Sequence, residues 1–450
     1  MAPTLLFLVL LCSSTALITS TNGVAAAAGA GGGTGLRMKL THVDANGNYT
    51  VAELFRRAIV ASKERLAFLD AFAGGGVGMP VHWATLQYVA EYLIGDPPQR
   101  AAALIDTGSD LIWTQCSTCL RKVCARQTLP YYNSSASNTF AAVPCAARSC
   151  AAASDIIHFC DLAGGCSVIA GYGAGVVAGS LGTDKFSFQS GSTALAFGCV
   201  TFTRIINGAL QGASGIIGLG RGELSLVSQI GATRFSYCLT RYFHHDGENG
   251  GAGGGGHLFV GGAAASLGGE AVARTAFVKG PKGSPFYYLP LVGLTVGNTR
   301  LPIPSTAFDF REIAPGFMAG GVIIDSGTPF TSLVRNAYDA LANELSARLN
   351  GSLVPAPGGD ADTLCVARRD VARVVPRLVF HFRGGADMVL PPENYWAPVD
   401  KAAATACLAI VGAGYRSVIG NFQQQNMHVL YDLANAEFSF QPADCTALQI

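Results

Sequence analysis

The sequence predicts a mainly β protein with two similar lobes around a central cleft. Residues 104–109 read Leu-Ile-Asp-Thr-Gly-Ser, and residues 323–328 read Ile-Ile-Asp-Ser-Gly-Thr, so an apolar strand end leads into the same turn twice. The composition agrees, because 56 glycines among Val-, Ile- and aromatic-rich runs favour short strands and turns over long helices. A chain of 450 residues is also too long for one ordinary core. We therefore predict a duplicated lobe that brings two aspartates together.

The N-terminal residues predict export from the cell. An apolar run over residues 5–12 is followed by small residues, which is typical of a secretory signal peptide over residues 1–23 and too short for a membrane span. Sequons for N-glycosylation begin at Asn48, Asn133 and Asn350. We expect a secreted, extracellular glycoprotein of the apoplast without a membrane anchor, and the vacuole is the alternative destination.

Residues 24–80 are predicted to form a propeptide. Thr50 and Glu53 fit a capping box, and apolar residues then recur at helical spacing as far as Leu69. The helix is either an ordinary solvated amphipathic helix or a prosegment whose cations neutralise an acidic cleft until the pH falls. Its position between a signal peptide and a β-rich body favours the prosegment, and the glycines at 74–76 predict a flexible junction. The cations of this segment are Arg37, Lys39, Arg56, Arg57, Lys63 and Arg65.

The remaining chain is predicted to be rich in strands. Residues 87–94 alternate roughly between apolar and polar side chains, which is typical of a half-buried strand. A glycine-rich stretch over residues 247–256 predicts a loop at the lobe boundary. We therefore place an N-terminal lobe at 81–256 and a C-terminal lobe at 257–450.

A second repeat follows each aspartate. Residues 216–218 read Ile-Ile-Gly downstream of Asp106, and residues 418–420 read Val-Ile-Gly downstream of Asp325. Two apolar residues before a glycine are a common strand end, so either copy alone means little. Their matched order after both aspartates predicts, in each lobe, a strand that packs beneath the turn carrying the aspartate.

The cysteines predict disulfides. Thirteen are present, and loss of Cys12 with the signal peptide leaves twelve, which suits six bridges in an oxidising compartment. Seven of them crowd into residues 116–166. The spacing of the first three, Cys116, Cys119 and Cys124, is an alternative zinc pattern, but nearby His ligands are missing.

Neither nucleic acid, an anionic membrane nor a metal ion is predicted as a partner. The formal net charge is only +1, and charged residues make up 13% of the chain. His244 and His245 lie beside the glycine-rich stretch without a further residue at metal-ligand spacing, and we interpret them as solvated loop residues. We therefore predict no cofactor.

Several motifs together resemble the pepsin-like aspartic proteases, and most closely their plant nepenthesin-like branch. They are residues 106–113 (DTGSDLIW), 172–175 (YGAG), 215–222 (GIIGLGRG), 235–238 (FSYC) and 419–426 (IGNFQQQN). The resemblance runs from about residue 85 to the C-terminus, and residues 116–166 and 24–80 are similar to the insertion and the propeptide of that branch. It implies a bilobal, mainly β fold and a monomeric aspartic-type endopeptidase, made as a zymogen, that hydrolyses protein or peptide substrates at acid pH.

By this resemblance, Asp106 and Asp325 form a catalytic dyad and hold a water molecule between them. Two carboxylates in one site cannot both ionise easily, so one holds a proton and the pair offers both an acid and a base. The residues implied to support the dyad are Thr107, Gly108, Ser109, Ser326, Gly327 and Thr328. The glycines leave room for the backbone and offer N–H donors. The first hydroxyl of each turn would bond across to the opposite loop, and the last would donate to the outer carboxylate oxygen.

The resemblance also implies a flap over the cleft. Tyr172 and Gly173 would form the tip of a mobile hairpin that closes over the substrate, and Trp113 would place its indole N–H near Tyr172. Residues 174–177 read Ala-Gly-Val-Val where the family usually has polar side chains. We expect this difference to alter affinity and specificity before it abolishes activity.

The disulfides are expected to follow the same division of the chain. Most should be local to the insertion at 116–166, and others should tie distant segments together. In the later half we predict the pairs Cys238 with Cys445 and Cys365 with Cys407, and no free thiol in the mature chain.

The alternative function is that of a catalytically silent relative that binds proteins, for example as an inhibitor of other secreted enzymes. Loss of a catalytic Asp, of its Gly or of a supporting hydroxyl would favour this alternative. All of these residues are present in both turns, which favours the endopeptidase.

Overall fold

The structure, a computed structural model, describes residues 35–43, 49–72, 87–119, 123–151, 156–173, 175–205, 210–241, 255–264, 267–269, 271–314, 317–357, 363–400 and 405–448. Several sequence-based predictions lie outside these residues, namely the signal peptide, the glycine junction at 74–76, Ala174, His244 and His245. No helix in the described part of the chain is long and apolar enough to cross a membrane.

Strands dominate the described residues, as the sequence predicts. In the first half they are β1 (Leu36–His42), β2 (Tyr88–Ile94), β3 (Gln99–Asp106), β4 (Trp113–Gln115), β5 (Ala141–Ala142), β6 (Ile157–Cys160), β7 (Cys166–Tyr172), β8 (Gly175–Phe188), β9 (Gly191–Ile205), β10 (Gly215–Gly218), β11 (Arg234–Leu239) and β12 (Gly255–Val260). In the second half they are β13 (Ala273–Ala276), β14 (Tyr287–Leu289), β15 (Leu291–Val296), β16 (Thr299–Arg300), β17 (Arg311–Ala314), β18 (Phe317–Ala319), β19 (Val322–Ile324), β20 (Thr331–Val334), β21 (Cys365–Ala367), β22 (Leu378–Phe382), β23 (Asp387–Leu390), β24 (Trp396–Asp400), β25 (Thr405–Leu408), β26 (Ile410–Ala413), β27 (Ser417–Ile419), β28 (Met427–Asp432) and β29 (Glu437–Pro442). The α-helices are α1 (Val51–Phe72), α2 (Arg148–Ala151), α3 (Leu226–Gln229), α4 (Arg335–Arg348) and α5 (Val371–Val374).

One large sheet joins strands from both halves of the chain. Its order is β13-β29-β28-β11-β12-β1-β2-β3-β10-β4-β9-β8-β7-β6, and β5 pairs with β8. The remaining sheets are β14-β19-β27-β20-β26, β16-β15-β22-β23, β21-β25-β24 and β17-β18. Because the C-terminal hairpin β28–β29 pairs with β11, backbone hydrogen bonds tie the end of the chain to its first half.

The β3–β10 pair is repeated in the second half. β10 runs parallel to β3 with Gly218 beside Asp106, and β27 runs parallel to β19 with Ile419 beside Ile324. Each pair includes the strand that leads into an aspartate turn. The prediction of a duplicated strand beneath each turn is therefore confirmed.

β1 is a strand that the sequence analysis did not predict. It lies between β12 and β2 in the large sheet, with Leu40 opposite Gly256 on one side and Ala90 on the other. Its buried side chains are Leu36, Met38, Leu40 and His42. This alternation has a period of two and is visible in the sequence, so the strand could have been predicted from it.

α1 begins where the capping box predicts. The Thr50 hydroxyl accepts a hydrogen bond from the Glu53 N–H at 3.2 Å, and the Glu53 carboxylate accepts one from the Thr50 N–H at 2.8 Å. The buried face packs Leu54, Phe55 and Ala58 into a cluster with Phe330, Ala397 and Phe422. The helix is therefore docked on strands of the second half rather than solvated on all sides.

The cysteines of the described residues form disulfides. The pairs are Cys116–Cys199, Cys119–Cys124, Cys145–Cys160, Cys150–Cys166, Cys238–Cys445 and Cys365–Cys407. Both pairs predicted for the later half are confirmed. The prediction that most bridges are local to the insertion is wrong, because only three of the six are, and Cys116 pairs outside it with Cys199 on the neighbouring strand β9. The zinc alternative fails because each of its three cysteines is bonded to another sulfur and offers no thiolate.

We expect the protein to show no reactive thiol when it is unfolded without a reductant. Replacing both Cys238 and Cys445 with Ala, 207 residues apart, should lower the free energy of unfolding by about 2–5 kcal/mol, because the open chain gains conformational entropy when unfolded. Denaturant unfolding of this variant beside the wild type measures the loss. Several thiols that titrate in the unfolded wild type would contradict the pairing.

Candidate active site

Asp106 ends β3, and the turn that follows holds its carboxylate in place. The Gly108 N–H donates to Oδ1 at 2.9 Å, and the Ser109 hydroxyl donates to Oδ2 at 2.5 Å. The residue is only 3% exposed. These donors favour the charged form and offset part of the cost of removing the carboxylate from water.

Asp325 follows β19 and has the same set of partners. The Gly327 N–H donates to Oδ1 at 2.8 Å, and the Thr328 hydroxyl donates to Oδ2 at 2.7 Å. Asp325 is completely buried. The donors that the sequence analysis expected for the two carboxylates are therefore present in both turns.

Thr107 and Ser326 connect the two turns reciprocally. The Thr107 N–H donates to the Ser326 hydroxyl at 3.1 Å, and the Ser326 N–H donates to the Thr107 hydroxyl at 2.9 Å. The Ser326 hydroxyl donates in turn to the carbonyl oxygen of Ile105 at 3.2 Å. Because Thr107 and Ser326 are both completely buried, these bonds hold the two turns rigidly against each other.

Both turns need glycine because each carboxylate lies close to the opposite backbone. A Cβ atom at Gly327 would overlap the Asp106 carboxylate, and one at Gly108 would lie 3.0 Å from each oxygen of the Asp325 carboxylate. Any larger residue would therefore push the turns apart. The contacts place the two carboxylates face to face across the site.

Arg65 of α1 lies between the two carboxylates. Its Nη2 atom is 2.9 Å from Oδ1 of Asp106, and its Nε atom is 3.0 Å from Oδ2 of Asp325. The side chain is 8% exposed, so both ion pairs form away from bulk water. The sequence analysis named Arg65 together with five other cations. The structure brings Arg65 to the aspartates, whereas the Arg57 guanidinium lies 4.1 Å from the ring centroid of Tyr49.

Burial and charge act in opposite directions at this site. Burial raises the pKa of Asp106, the Arg65 charge lowers it, and the Asp325 charge raises it again, to about 6. Burial by itself would lower the pKa of the Arg65 guanidinium, but the charges of the two aspartates raise it, so Arg65 stays charged. A carboxyl group with a raised pKa beside a second carboxylate can supply both an acid and a base.

The neighbours of Arg65 fix α1 over the site. The Ser62 hydroxyl accepts a hydrogen bond from the Phe330 N–H at 2.7 Å, and Leu66 packs against Phe286. The space that remains beside Arg65 is a cavity of about 40 Å³, room for a few water molecules only. In this conformation no polypeptide can reach the carboxylates.

Tyr172 and Gly173 lie at the end of the β7–β8 hairpin, where the sequence analysis places the flap tip. Tyr172 pairs with Gly175 across the turn, and its ring centroid is 6.0 Å from that of Trp113. The buried Trp113 indole nitrogen has no hydrogen-bond partner among the described residues. A Cβ atom at Gly173 would lie 2.9 Å from Cα of Arg65, so this end of the β7–β8 hairpin rests directly on α1.

Two side chains that support the turns were not predicted. Gln87 donates to the carbonyl oxygen of Gly327 at 2.5 Å, and Asn421 donates to that of Ser326 at 2.9 Å. Asn421 belongs to the recognised motif at 419–426, so its importance could have been inferred from the resemblance. Gln87 carries no such signal, since its partner is 240 residues away.

Two protein-family models match this chain. The model described as "Xylanase inhibitor N-terminal" covers residues 88–262, and the model described as "Xylanase inhibitor C-terminal" covers residues 286–442. The first match includes Asp106 and the flap hairpin, and the second includes Asp325. The two matches therefore cover both aspartate turns.

Individual plant proteins are similar over most of the chain. "Aspartic proteinase nepenthesin-1" of Nepenthes gracilis is 37% identical over 92% of this chain and 91% of its own length. "Aspartyl protease family protein 2" of Arabidopsis thaliana is 32% identical over 91% of this chain and 85% of its own. The crystal structure of basic 7S globulin from soybean matches with a TM-score of 0.65, and the match covers 93% of this chain and 100% of the globulin chain. Since its sequence identity is 16%, this last similarity shows the fold alone.

Proposed function

The chain belongs to the plant nepenthesin-like aspartic proteases and is an aspartic-type endopeptidase, and from this premise we propose that Asp106 and Asp325 are its catalytic dyad. The observation that carries the proposal is geometric. Two buried carboxylates, each held by a backbone N–H and a hydroxyl, face each other across two turns that are hydrogen-bonded to each other. The proposed reaction is hydrolysis of peptide bonds in protein or peptide substrates at acid pH.

In the proposed reaction, a water molecule takes the position between the carboxylates that Arg65 holds in this structure. The ionised carboxylate accepts a proton from the water, whose oxygen attacks the peptide carbonyl carbon, while the protonated carboxyl donates its proton to the carbonyl oxygen. The tetrahedral intermediate then collapses: its nitrogen takes up the proton that the first carboxylate accepted from the water, one of its hydroxyl groups returns a proton to the other carboxylate, and the C–N bond breaks to release the amine and the carboxylic acid. The raised pKa of Asp106, about 6, supports this division because that carboxyl holds a proton at acid pH.

We infer that the described conformation is that of an inactive precursor. Arg65 fills the position of the attacking water, and the Gly173 end of the β7–β8 hairpin contacts the helix backbone instead of a substrate. The docked α1 face and β1 in the main sheet hold the rest of the segment in place. These contacts support the assignment of residues 24–80 as an inhibitory propeptide.

Activation should follow the protonation of Asp106. Because the Arg65 charge lowers the pKa of Asp106, the ionised carboxylate must by reciprocity bind Arg65 more strongly than the protonated one. This contribution to docking is fully present well above pH 6 and is lost as the pH falls through about 6, the pKa of Asp106. The precursor should therefore stay full length at about pH 7.5 and be trimmed near residue 80 at about pH 4.

Sequencing of the new N-termini after incubation at each pH measures this trimming. The Asp106→Asn precursor is the control, since it should stay full length in acid if processing is autocatalytic. Equal trimming of the purified variant would show that another protease matures the chain. A fully active, untrimmed wild type would contradict the inhibitory propeptide.

A catalytically silent binding protein is the second possibility, because the matching family models carry the description of a xylanase inhibitor. The deciding experiment is digestion of an unfolded protein by the acid-treated chain at about pH 4, with and without a statine inhibitor that mimics the tetrahedral intermediate. We expect cleavage that the inhibitor blocks. No cleavage, combined with tight binding of a secreted glycosidase, would favour the silent protein.

Secretion and the two-lobe division complete the proposal. The six disulfides support an oxidising destination, and the apolar run at 5–12 supports export through a signal peptide. We keep the proposed lobes at 81–256 and 257–450, with the apoplast as the destination and the vacuole as the alternative. Expression of the full chain with a fluorescent fusion in plant cells separates the two destinations.

A further inference from the structure

We propose that the protein has a cationic subsite beside the cleft that binds acidic side chains of its polypeptide substrate, an inference that rests on the endopeptidase function proposed above. Arg221, Lys279 and Lys282 line one pocket, together with Phe286. The pocket has a volume of about 570 Å³, which is enough for a short peptide segment. No feature of the proposed dyad chemistry uses this pocket.

One wall of the pocket is an ordered loop. Val278 and Tyr288 pair across the base of the loop, where the Val278 N–H donates to the Tyr288 carbonyl oxygen at 2.8 Å. Inside the loop, the Ser284 N–H donates to the carbonyl oxygen of Pro281 at 3.1 Å, and the Ser284 hydroxyl lies 3.2 Å from that of Tyr288. Gly283 adopts a φ of +78° at the turn, which suits glycine. The loop therefore presents its two lysines from a defined turn.

The opposite wall supplies the third cation. Arg221 follows β10, and its N–H donates to the carbonyl oxygen of Pro285 at 3.1 Å. Its guanidinium lies 5.9 Å from the ring centroid of Tyr287. These contacts join the segment after β10 to the lysine loop, so the three cations converge on one space.

The positive charge of the pocket is not balanced by the residues that the structure describes. None of Arg221, Lys279 and Lys282 forms an ion pair within the described residues. Glu223, two positions beyond Arg221, is paired with Arg148 at 3.1 Å. The formal net charge of the chain is only +1, so three exposed cations around one pocket are a local excess and not a generally basic surface.

Two more charged groups lie behind the pocket walls. Asp110 is buried and accepts a hydrogen bond from the Gly222 N–H at 2.8 Å. Arg416 is buried next to the hydroxyl of Tyr288. Both of these buried side chains are engaged within the protein, so the three exposed cations set the sign of the charge in the pocket, which favours an anionic ligand.

Phe286 connects this pocket to the dyad. It lines the pocket and also packs in one apolar cluster with Leu66 and Ile323. Leu66 follows Arg65 in α1, and Ile323 lies two residues before Asp325. A substrate bound where Arg65 and Leu66 now lie would extend along Phe286. Its neighbouring residues would then reach the three cations of the pocket.

The chemistry of the ligand predicts a pH dependence. Asp and Glu side chains lose their charge below about pH 4, whereas Lys and Arg stay charged. The subsite should therefore favour acidic peptides at about pH 5 and not at about pH 3. A cysteic acid residue keeps its negative charge at both pH values, so peptides that contain it should be favoured at both.

The test uses the acid-activated enzyme and two series of matched peptides, one with the variable residue before the scissile bond and one with it after. In each series the residue two to four positions from the bond is either Asp or Asn. In one of the two series we expect kcat/KM at about pH 5 to be about 10-fold higher for the Asp peptide than for its Asn counterpart, since each exposed ion pair contributes about 2- to 5-fold. Lys279→Gln combined with Lys282→Gln should lower this preference to the roughly 2- to 5-fold that Arg221 alone contributes. Lys185→Gln, at an exposed lysine elsewhere, is the matched control and should keep it.

Equal kcat/KM values for the Asp and Asn peptides with the wild type at about pH 5 would overturn the inference. So would an unchanged preference in the double lysine variant. Cleavage of the Asn peptide in either case would leave the proposed endopeptidase function standing. Failure of the wild type to cleave any peptide would overturn that function and this inference with it.

Discussion

Replacement of either Asp106 or Asp325 by Asn is expected to lower kcat for peptide hydrolysis by about 1,000-fold or more, because the pair then has no proton to share between an acid and a base. The fold should survive, since the Asn carbonyl oxygen can still accept the hydrogen bond from the Gly108 or Gly327 N–H, and the Ser109 or Thr328 hydroxyl can rotate to accept one from the Asn NH2 group. The thermal midpoint of the mature form should therefore stay close to that of the wild type.

The measurement compares initial rates after each precursor has been cut at an engineered protease site, so that processing does not differ between variants. Asp309→Asn is the matched control, because Asp309 is 52% exposed and its nearest cation, on Arg383, is 3.7 Å away. It should keep full activity. The rate of the wild type should depend on two macroscopic pKa values in the acid range that belong to the pair. Full activity of either dyad variant, or an optimum near pH 8, would refute the mechanism.

Replacement of Arg65 by Gln is expected to weaken the docking of α1 over the two aspartates in the precursor. Removing one partner from a buried ion pair costs about 3–5 kcal/mol, and here two carboxylates would be left facing each other without a cation. The helix would still be held by Leu54, Phe55 and Ala58, so we expect weaker docking and not complete release. At about pH 6 the variant precursor should bind a statine inhibitor about 100-fold more tightly than the wild-type precursor does.

Arg56→Gln is the matched control for this experiment. Arg56 lies on the same helix, is exposed, and donates to the carbonyl oxygen of Ala52 at 3.3 Å. Its replacement should leave the inhibitor affinity of the precursor unchanged. If the Arg65 variant precursor bound the inhibitor as weakly as the wild-type precursor, the apolar face of α1 alone would keep the helix docked over the site. The ion pairs of Arg65 would then have no inhibitory role.

Much of the fold follows from local patterns. The repeated Asp-hydroxyl-Gly turns, the two matched downstream strands and the capping box of α1 are each encoded within a few residues, and the structure has all of them. β1 is encoded just as locally, because buried and more exposed side chains alternate over residues 36–42. Its place between β2 and β12 depends on residues about 50 and 215 positions away along the chain and has no local signal.

The two aspartate turns, the strand-rich fold class and the even set of cysteines can be predicted from the sequence, because strand alternation, turn chemistry and residue counts depend on neighbours along the chain. Which of the six cations of residues 24–80 meets the two aspartates depends on tertiary packing. Arg65 lies 41 residues from Asp106 and 260 from Asp325, and its sequence neighbourhood does not distinguish it from Arg56 or Arg57. The choice is made by the apolar face of α1, because packing that face on the second half of the chain turns Arg65 toward the aspartates, whereas Arg56 and Lys63 stay exposed and Arg57 packs on the ring of Tyr49.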